Sequence, residues 1–232
     1  MRMRHKPNLE KRMANCAAVN IGSPEELKGN WLKEFPGFKS LYLEIGCGKG
    51  SFTAGLAASE TDALIVAIEK VPDAMVMAME KIVNGALENV RFIDGDAARL
   101  SEIFAENEIS RIYINFCDPW PKSRDAKFRL TAPGFLRSYA NVLKDGGELR
   151  FRTDNRPLFD WSCEQLKKEG WKITEFTNDA HNEIMTDYEA KFAAEGIPIN
   201  MLTAVKTSDT KALKDGPVER LRNAALSDAR LK

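Results

Sequence analysis

Apolar positions along the chain alternate between two spacings. Short runs rich in Leu, Ile and Val at residues 41–45, 63–68, 90–93, 111–116 and 147–152 predict strands. Between them, residues 51–58, 72–86, 97–105, 132–143 and 158–169 carry the helical spacing. Residues 171–177 and 198–206 predict two last strands. Ahead of the series, residues 23–35 predict a helix, with Ser23 as its cap, Pro24 at the first position and Glu26 completing a capping box. Strands alternating with helices in this way mean βαβ units, hence an α/β fold with a mainly parallel sheet.

The flanks read differently. Residues 1–22 are expected to form a basic N-terminal arm, with Arg2, Arg4, Lys6, Lys11 and Arg12 against the single acid Glu10. Such a run is either solvated or closes over a polyanion or cofactor. Residues 23–207 are the expected folded domain. Residues 208–232 lack strand pattern and read as an appendage, partly disordered at its end, with an amphipathic helix expected over 218–226.

Two turns carry chemistry. Residues 43–50 read LEIGCGKG: a strand, the acid Glu44, then glycines at 46, 48 and 50 opening a helix. Glycines let backbone approach a ligand closely, and the helix start offers free N–H groups. The dinucleotide fingerprint needs a further glycine where Ser51 stands, so the spacing disfavours a pyrophosphate. Glu69 follows the second predicted strand and can accept both ribose hydroxyls, and Asp94-Gly95-Asp96-Ala97 follows the third. Acids at three successive strand ends suit a cationic sulfonium such as S-adenosylmethionine. Each acid alone could be a helix cap, Asp96 in particular.

The second turn, residues 115–130, reads NFCDPWPKSRDAKFRL. Pro119 and Pro121 stiffen the presentation of Trp120 beside Asp118. Lys122, Arg124, Lys127 and Arg129 follow, with Arg111 upstream. An acid, an indole and cations on a rigid loop suit a nucleobase on its phosphate backbone: Trp120 as stacking face, the cations on phosphates. Cys117 reads as a packing residue, because nothing basic is placed to activate its thiol.

Composition narrows the picture little further. At 232 residues, 44% hydrophobic and 29% charged, the chain is long enough for one large α/β domain. The formal net charge is zero, so any polyanion site rests on local clustering. Four scattered cysteines and two histidines give no zinc spacing, so no metal is expected, and reduced thiols fit a cytoplasmic protein. No apolar run approaches the ~20 residues of a membrane span, and the N-terminus lacks the core of a signal peptide.

LEIGCGKG, IEK at 68–70, DPWPKSR at 118–124, TDN at 153–155, IMTDYEAKF at 184–192 and the opening MRMRHKP occur in order. Together they resemble the bacterial tRNA (guanine-N7-)-methyltransferases, from the N-terminus to about Val205. That resemblance implies a Rossmann-like class I methyltransferase with a seven-stranded, mainly parallel sheet in 3-2-1-4-5-7-6 order and helices on both faces. It implies methyl transfer from S-adenosylmethionine to N7 of a variable-loop guanine in tRNA. Either a monomer or a homodimer is compatible with the sequence. Glu44, Gly46, Gly48, Glu69, Asp96, Ala97 and Asp118 are then the expected cofactor contacts, with Asp118 also the catalytic position. Lys122, Asp154, Thr186, Asp187, Tyr188 and Glu189 are the expected substrate contacts.

Three departures from the family pattern stand out. Asp125 replaces a histidine and Phe128 an arginine in the basic loop, residues 181–186 are shorter than usual, and the tail is extra. Thr186-Asp187-Tyr188-Glu189 also has capping-box spacing, so a capped helix whose first turn faces the substrate is expected. Two other readings compete: another class I methyltransferase acting on a nucleobase or small molecule, and a catalytically silent RNA-binding subunit.

Overall fold

The computed structural model describes residues 7–180 and 184–213. Its frame is a seven-stranded sheet in the order β3-β2-β1-β4-β5-β7-β6, the order the resemblance implies. The strands are β1 (Ser40–Ile45), β2 (Ala63–Glu69), β3 (Val90–Asp94), β4 (Ile109–Asn115), β5 (Leu143–Thr153), β6 (Lys172–Thr177) and β7 (Asn200–Val205). β1 through β5 pair in parallel, and β7 runs antiparallel between β5 and β6.

The central strands are buried on both faces, which is why their sequences are almost continuously apolar. Leu41, Leu43 and Ile45 of β1 join one core cluster; Tyr42, from the same strand, joins the other. The helices are α1 (Leu9–Asn15), α2 (Trp31–Glu34), α3 (Ser51–Ser59), α4 (Pro72–Asn84), α5 (Leu100–Ile103), α6 (Pro133–Val142), α7 (Arg156–Lys168) and α8 (Asp187–Ala194). α3 and α4 cover the Tyr42 face, and α6 and α7 cover the other.

Two expected helices are shorter than their patterns. Residues 23–35 form a 3-10 turn at Pro24–Leu27 and the single turn α2, with no side-chain cap from Ser23. The break falls at Gly29, whose φ of 76° leaves the helical region. Glu108 competes there for backbone donors, accepting N–H bonds from Gly29, Trp31 and Ala105. Trp31 is fully buried and donates its indole N–H to the Ile103 carbonyl. The stretch 97–105 likewise divides into a 3-10 turn at Ala97–Arg99 and the short α5.

The described part of the N-terminal segment is packed. α1 lies along α4, Arg12 forms a bidentate ion pair with Glu80 at 2.6 Å, and Ile21 donates its backbone N–H to Phe92 of β3. At the other end, Thr210 and Lys211 hydrogen-bond the carbonyls of Gly170 and Glu169, and Leu213 bonds to Asn141. The helix expected over 218–226 lies outside the described residues.

Candidate active site

The carboxyl ends of β1 to β5 bring the predicted chemistry to one rim, where the strand order reverses between β1 and β4. From β1, the glycine turn leads into α3. Gly46 and Gly48 take φ of 78° and 56°, and a Cβ added at either would meet nothing within 4 Å. Both therefore border open space. Gly50 serves packing instead: a Cβ there would lie 2.8 Å from the Ala78 backbone, so glycine lets α3 sit against α4.

Glu44, next to last in β1, is almost fully buried and accepts a 2.6 Å hydrogen bond from the Thr53 hydroxyl. Burial pushes its carboxyl up to about 7, with Thr53, Asn115 and Arg152 pulling the other way and Glu69 adding to the rise. Glu69, at the end of β2, accepts backbone N–H bonds from Gly48 and Val71. It thus fixes the glycine turn with one oxygen and the start of the next loop with the other. Asp96 accepts from the Ala98 N–H at 2.8 Å and caps its 3-10 turn, so the cap reading of this acid is realised. Ala97 is buried behind it.

After β4 the backbone bends sharply: Phe116 and Trp120 have φ of 51° and 42°, a region costly for side chains of this size. Asp118 lies between them, exposed and without a hydrogen bond or ion pair among the described residues. Burial and the Asp118 carboxylate push the Cys117 thiol up to about 12, in keeping with a packing residue.

The basic loop departs from its expected use. Arg129 points inward, donating to the carbonyls of Pro119 and Trp120 at 3.0 Å, and stacks on Trp161. Arg111 sits at the opposite end of β4, paired with Glu60 and Glu148. Neither cation is offered to phosphate. Trp120 is half-buried, and its ring is tilted against Phe128 at 5.1 Å, so the phenylalanine at the family's arginine position supports the indole. Lys122, Arg124 and Lys127 remain exposed, with Arg124 3.8 Å from Asp125.

Asp154, beyond β5, is exposed and unpaired among the described residues; its neighbour Asn155, not Asp154, caps α7. Thr186 and Glu189 form the expected capping box of α8. Glu189 is 2% exposed and lies 3.5 Å from Arg152, whose guanidinium also donates to the Ile184 carbonyl. Asp187 accepts from the Ser51 hydroxyl, and Ser51 accepts from Lys81. A Cβ on Gly55 of α3 would come within 2.7 Å of Ile184. The segment 184–189 is thereby strapped across α3, beside the glycine turn. Tyr188 faces outward on this strap at 60% exposure.

Arg152, Thr53, Lys81, Phe116 and Phe192 belong to this region although the sequence reading did not assign them to it. Phe116 and Phe192 lie inside the quoted stretches 115–130 and 184–192 but carried no assigned role, and Thr53 is nine residues from its partner Glu44. Arg152 and Lys81 are found only through partners far away in the chain. Among the described residues, no group of His, Cys, Asp and Glu could hold a metal, and no helix is long and apolar enough to cross a membrane.

Comparison with known proteins gives a consistent picture. A family model described as "Putative methyltransferase" matches residues 39–202. A tRNA (guanine-N(7)-)-methyltransferase of an Exiguobacterium species is 42% identical over 210 residues, covering 88% of this chain and 98% of its own. One from Bacillus velezensis is 41% identical over 204 residues, covering 86% and 94%. Among solved structures, the 16S rRNA methyltransferase KamB superposes with a TM-score of 0.62 at 15% identity, over 77% of this chain and 93% of that one. At that identity the likeness shows the fold alone.

Proposed function

The chain belongs to the tRNA (guanine-N(7)-)-methyltransferase family, and we propose from that premise that it methylates N7 of a variable-loop guanine in tRNA with S-adenosylmethionine. The observation that carries the reading is the set of acids brought to one rim over the glycine turn. Glu44 in particular is a buried carboxylate that a cationic ligand would stabilise. The open space over Gly46 and Gly48 admits such a ligand, and no phosphate-binding glycine stands at residue 51.

S-adenosylmethionine supplies an electrophilic methyl group on a positively charged sulfur. Glu44, Glu69, Asp96 and Ala97, with the backbone of Gly46 and Gly48, are the residues that hold it. Guanine N7 already exposes an in-plane lone pair, so no residue needs to remove a proton. The task of the protein is alignment at near-attack distance. Asp118 orients the base or the cofactor at their junction. Asp118 or Asp154 can accept both N1–H and N2–H of guanine, an edge that adenine lacks, and an unpaired group there costs ~1–3 kcal/mol. Lys122 meets the RNA backbone. Thr186 and Glu189 set the first turn of α8, from which Asp187 and Tyr188 project. The protein works in the cytosol as a monomer or homodimer, with its four thiols free.

The test is incubation with labelled S-adenosylmethionine and unmodified tRNA, followed by mapping of the methylated base. Label at guanine N7 supports the assignment. Label on another base or a small molecule points to a different class I methyltransferase, and no product with any tRNA leaves the RNA-binding subunit.

A further inference from the structure

We infer that Tyr188, seated on Phe116 and Phe192, is the surface on which the target guanine stacks. The inference rests on the guanine-N7 reading and adds to it the face that holds the base. The three rings form a closed triangle. Tyr188 lies 6.4 Å from Phe116 at an interplanar angle of 25° and 6.4 Å from Phe192 at 27°, and the two phenylalanines are 6.0 Å apart. Phe116 is the first residue beyond β4, and its left-handed φ is part of the turn that leads into Asp118. Phe192 lies one helical turn beyond Tyr188 on α8, the spacing at which helical side chains meet.

With two ring neighbours, Tyr188 is still 60% exposed. A tyrosine with two ring neighbours and most of its surface open offers a stacking face whose neighbours narrow the orientations it samples before the base arrives. The helix beneath is held in turn by the capping box and by the Glu189–Arg152 pair. Trp120, the aromatic to which the sequence points, is presented differently: its ring leans on Phe128 and its carbonyl is bound by Arg129.

The chemistry favours an electron-rich ring at this place. The N7 lone pair forms the new N–CH3 bond while the S–CH3 bonding pair returns to sulfur. Positive charge therefore leaves the sulfonium and appears on the guanine ring, and no proton moves. An aromatic face attracts a cationic base more strongly than a neutral one. The contact thus tightens as the transition state is approached, which is what lowers a barrier.

The experiment uses the full chain and four forms: wild type, Tyr188→Phe, Tyr188→Ala and Trp120→Ala. Equilibrium dialysis compares 7-methylguanosine 5′-monophosphate with guanosine 5′-monophosphate, and kcat/KM is measured on unmodified tRNA. Wild type and Tyr188→Phe are expected to prefer the methylated nucleotide. Tyr188→Ala is expected to lose that preference and to fall roughly 5- to 100-fold in kcat/KM, with its melting temperature retained. N7 product formed by Tyr188→Ala at the wild-type rate overturns the inference while the guanine-N7 reading stands. A loss that follows Trp120→Ala alone overturns it too. If wild type gives no N7 product, the underlying reading fails and the inference with it.

Discussion

Ser51 and Asp187, 136 residues apart in the chain, share a hydrogen bond that ties the first turn of α3 to the first turn of α8. Lys81 donates to the same hydroxyl, so the tie runs from α4 through Ser51 to the strap carrying Tyr188. The glycine turn and the proposed base platform are thereby held as one unit. Asp187→Ala should release the strap at little cost to global stability, because the contact is exposed. An exposed hydrogen bond of this kind contributes roughly 0.5–1.5 kcal/mol, which corresponds to a fall of a few-fold to tenfold in kcat/KM. Hydrogen exchange over residues 184–194 should quicken; unchanged exchange would show the tie to be idle.

Glu44 makes the protein pH-sensitive in two opposite ways. Its folded pKa lies near 7, above the usual 4.5, so the folded state holds the proton longer than the unfolded chain does. Its contribution to stability is full below about pH 4.5 and is lost as pH rises through 7. A cationic cofactor prefers the ionised carboxylate, so its affinity should rise over the same interval. Thermal unfolding without cofactor and calorimetric cofactor titration from pH 5.5 to 8 check both trends. Glu44→Gln should flatten each; a variant with the wild-type profile would remove Glu44 as the titrating group.

Asp118 is exposed and supports no part of the fold, so Asp118→Ala should unfold at the wild-type temperature. Methyl transfer should fall by roughly 100-fold or more if it aligns the reacting groups, with tRNA affinity nearly unchanged. Single-turnover kinetics with filter binding separates the two effects, and retained turnover would take Asp118 out of the mechanism.

Arg129 and Lys122 should separate cleanly. Arg129 clamps two loop carbonyls, so Arg129→Ala should destabilise the protein by about 1–3 kcal/mol and open the 119–129 loop to proteases. The salt slope of tRNA binding should hardly change. Lys122→Ala should leave stability alone and reduce that slope by about one ion. Binding isotherms over a salt series distinguish them, and a reduced slope in Arg129→Ala would return this side chain to the RNA.

Thr210, Lys211 and Leu213 bond to residues of α6 and of the loop before β6, so the fold gains contacts beyond β7. A chain ending at Lys206 should therefore melt several degrees below one ending at Leu213, at roughly 2–4 °C per kcal/mol lost for a domain of this size. Equal melting temperatures would mean these bonds contribute nothing.

The sequence by itself determined the succession of strands and helices along the chain and the turns that carry candidate chemistry, whereas the order of strands across the sheet came from the family resemblance. The first two follow from local patterns: apolar runs at strand spacing, glycines where backbone must turn, acids at or just past strand ends. The capping box at Thr186 was legible for the same reason, since its partners lie three residues apart. Only the tertiary structure decided which cations remain available and which aromatic ring faces outward. Arg129 folds back on the carbonyls of Pro119 and Trp120, Phe128 supports Trp120 where a charge was expected, and Ser51 meets Asp187. Tyr188 gains its platform only when α8 packs beside the end of β4. Periodicity reports which side of an element is buried. It does not report which distant element will cover that side, and the chemistry of a side chain here depends on what it meets there.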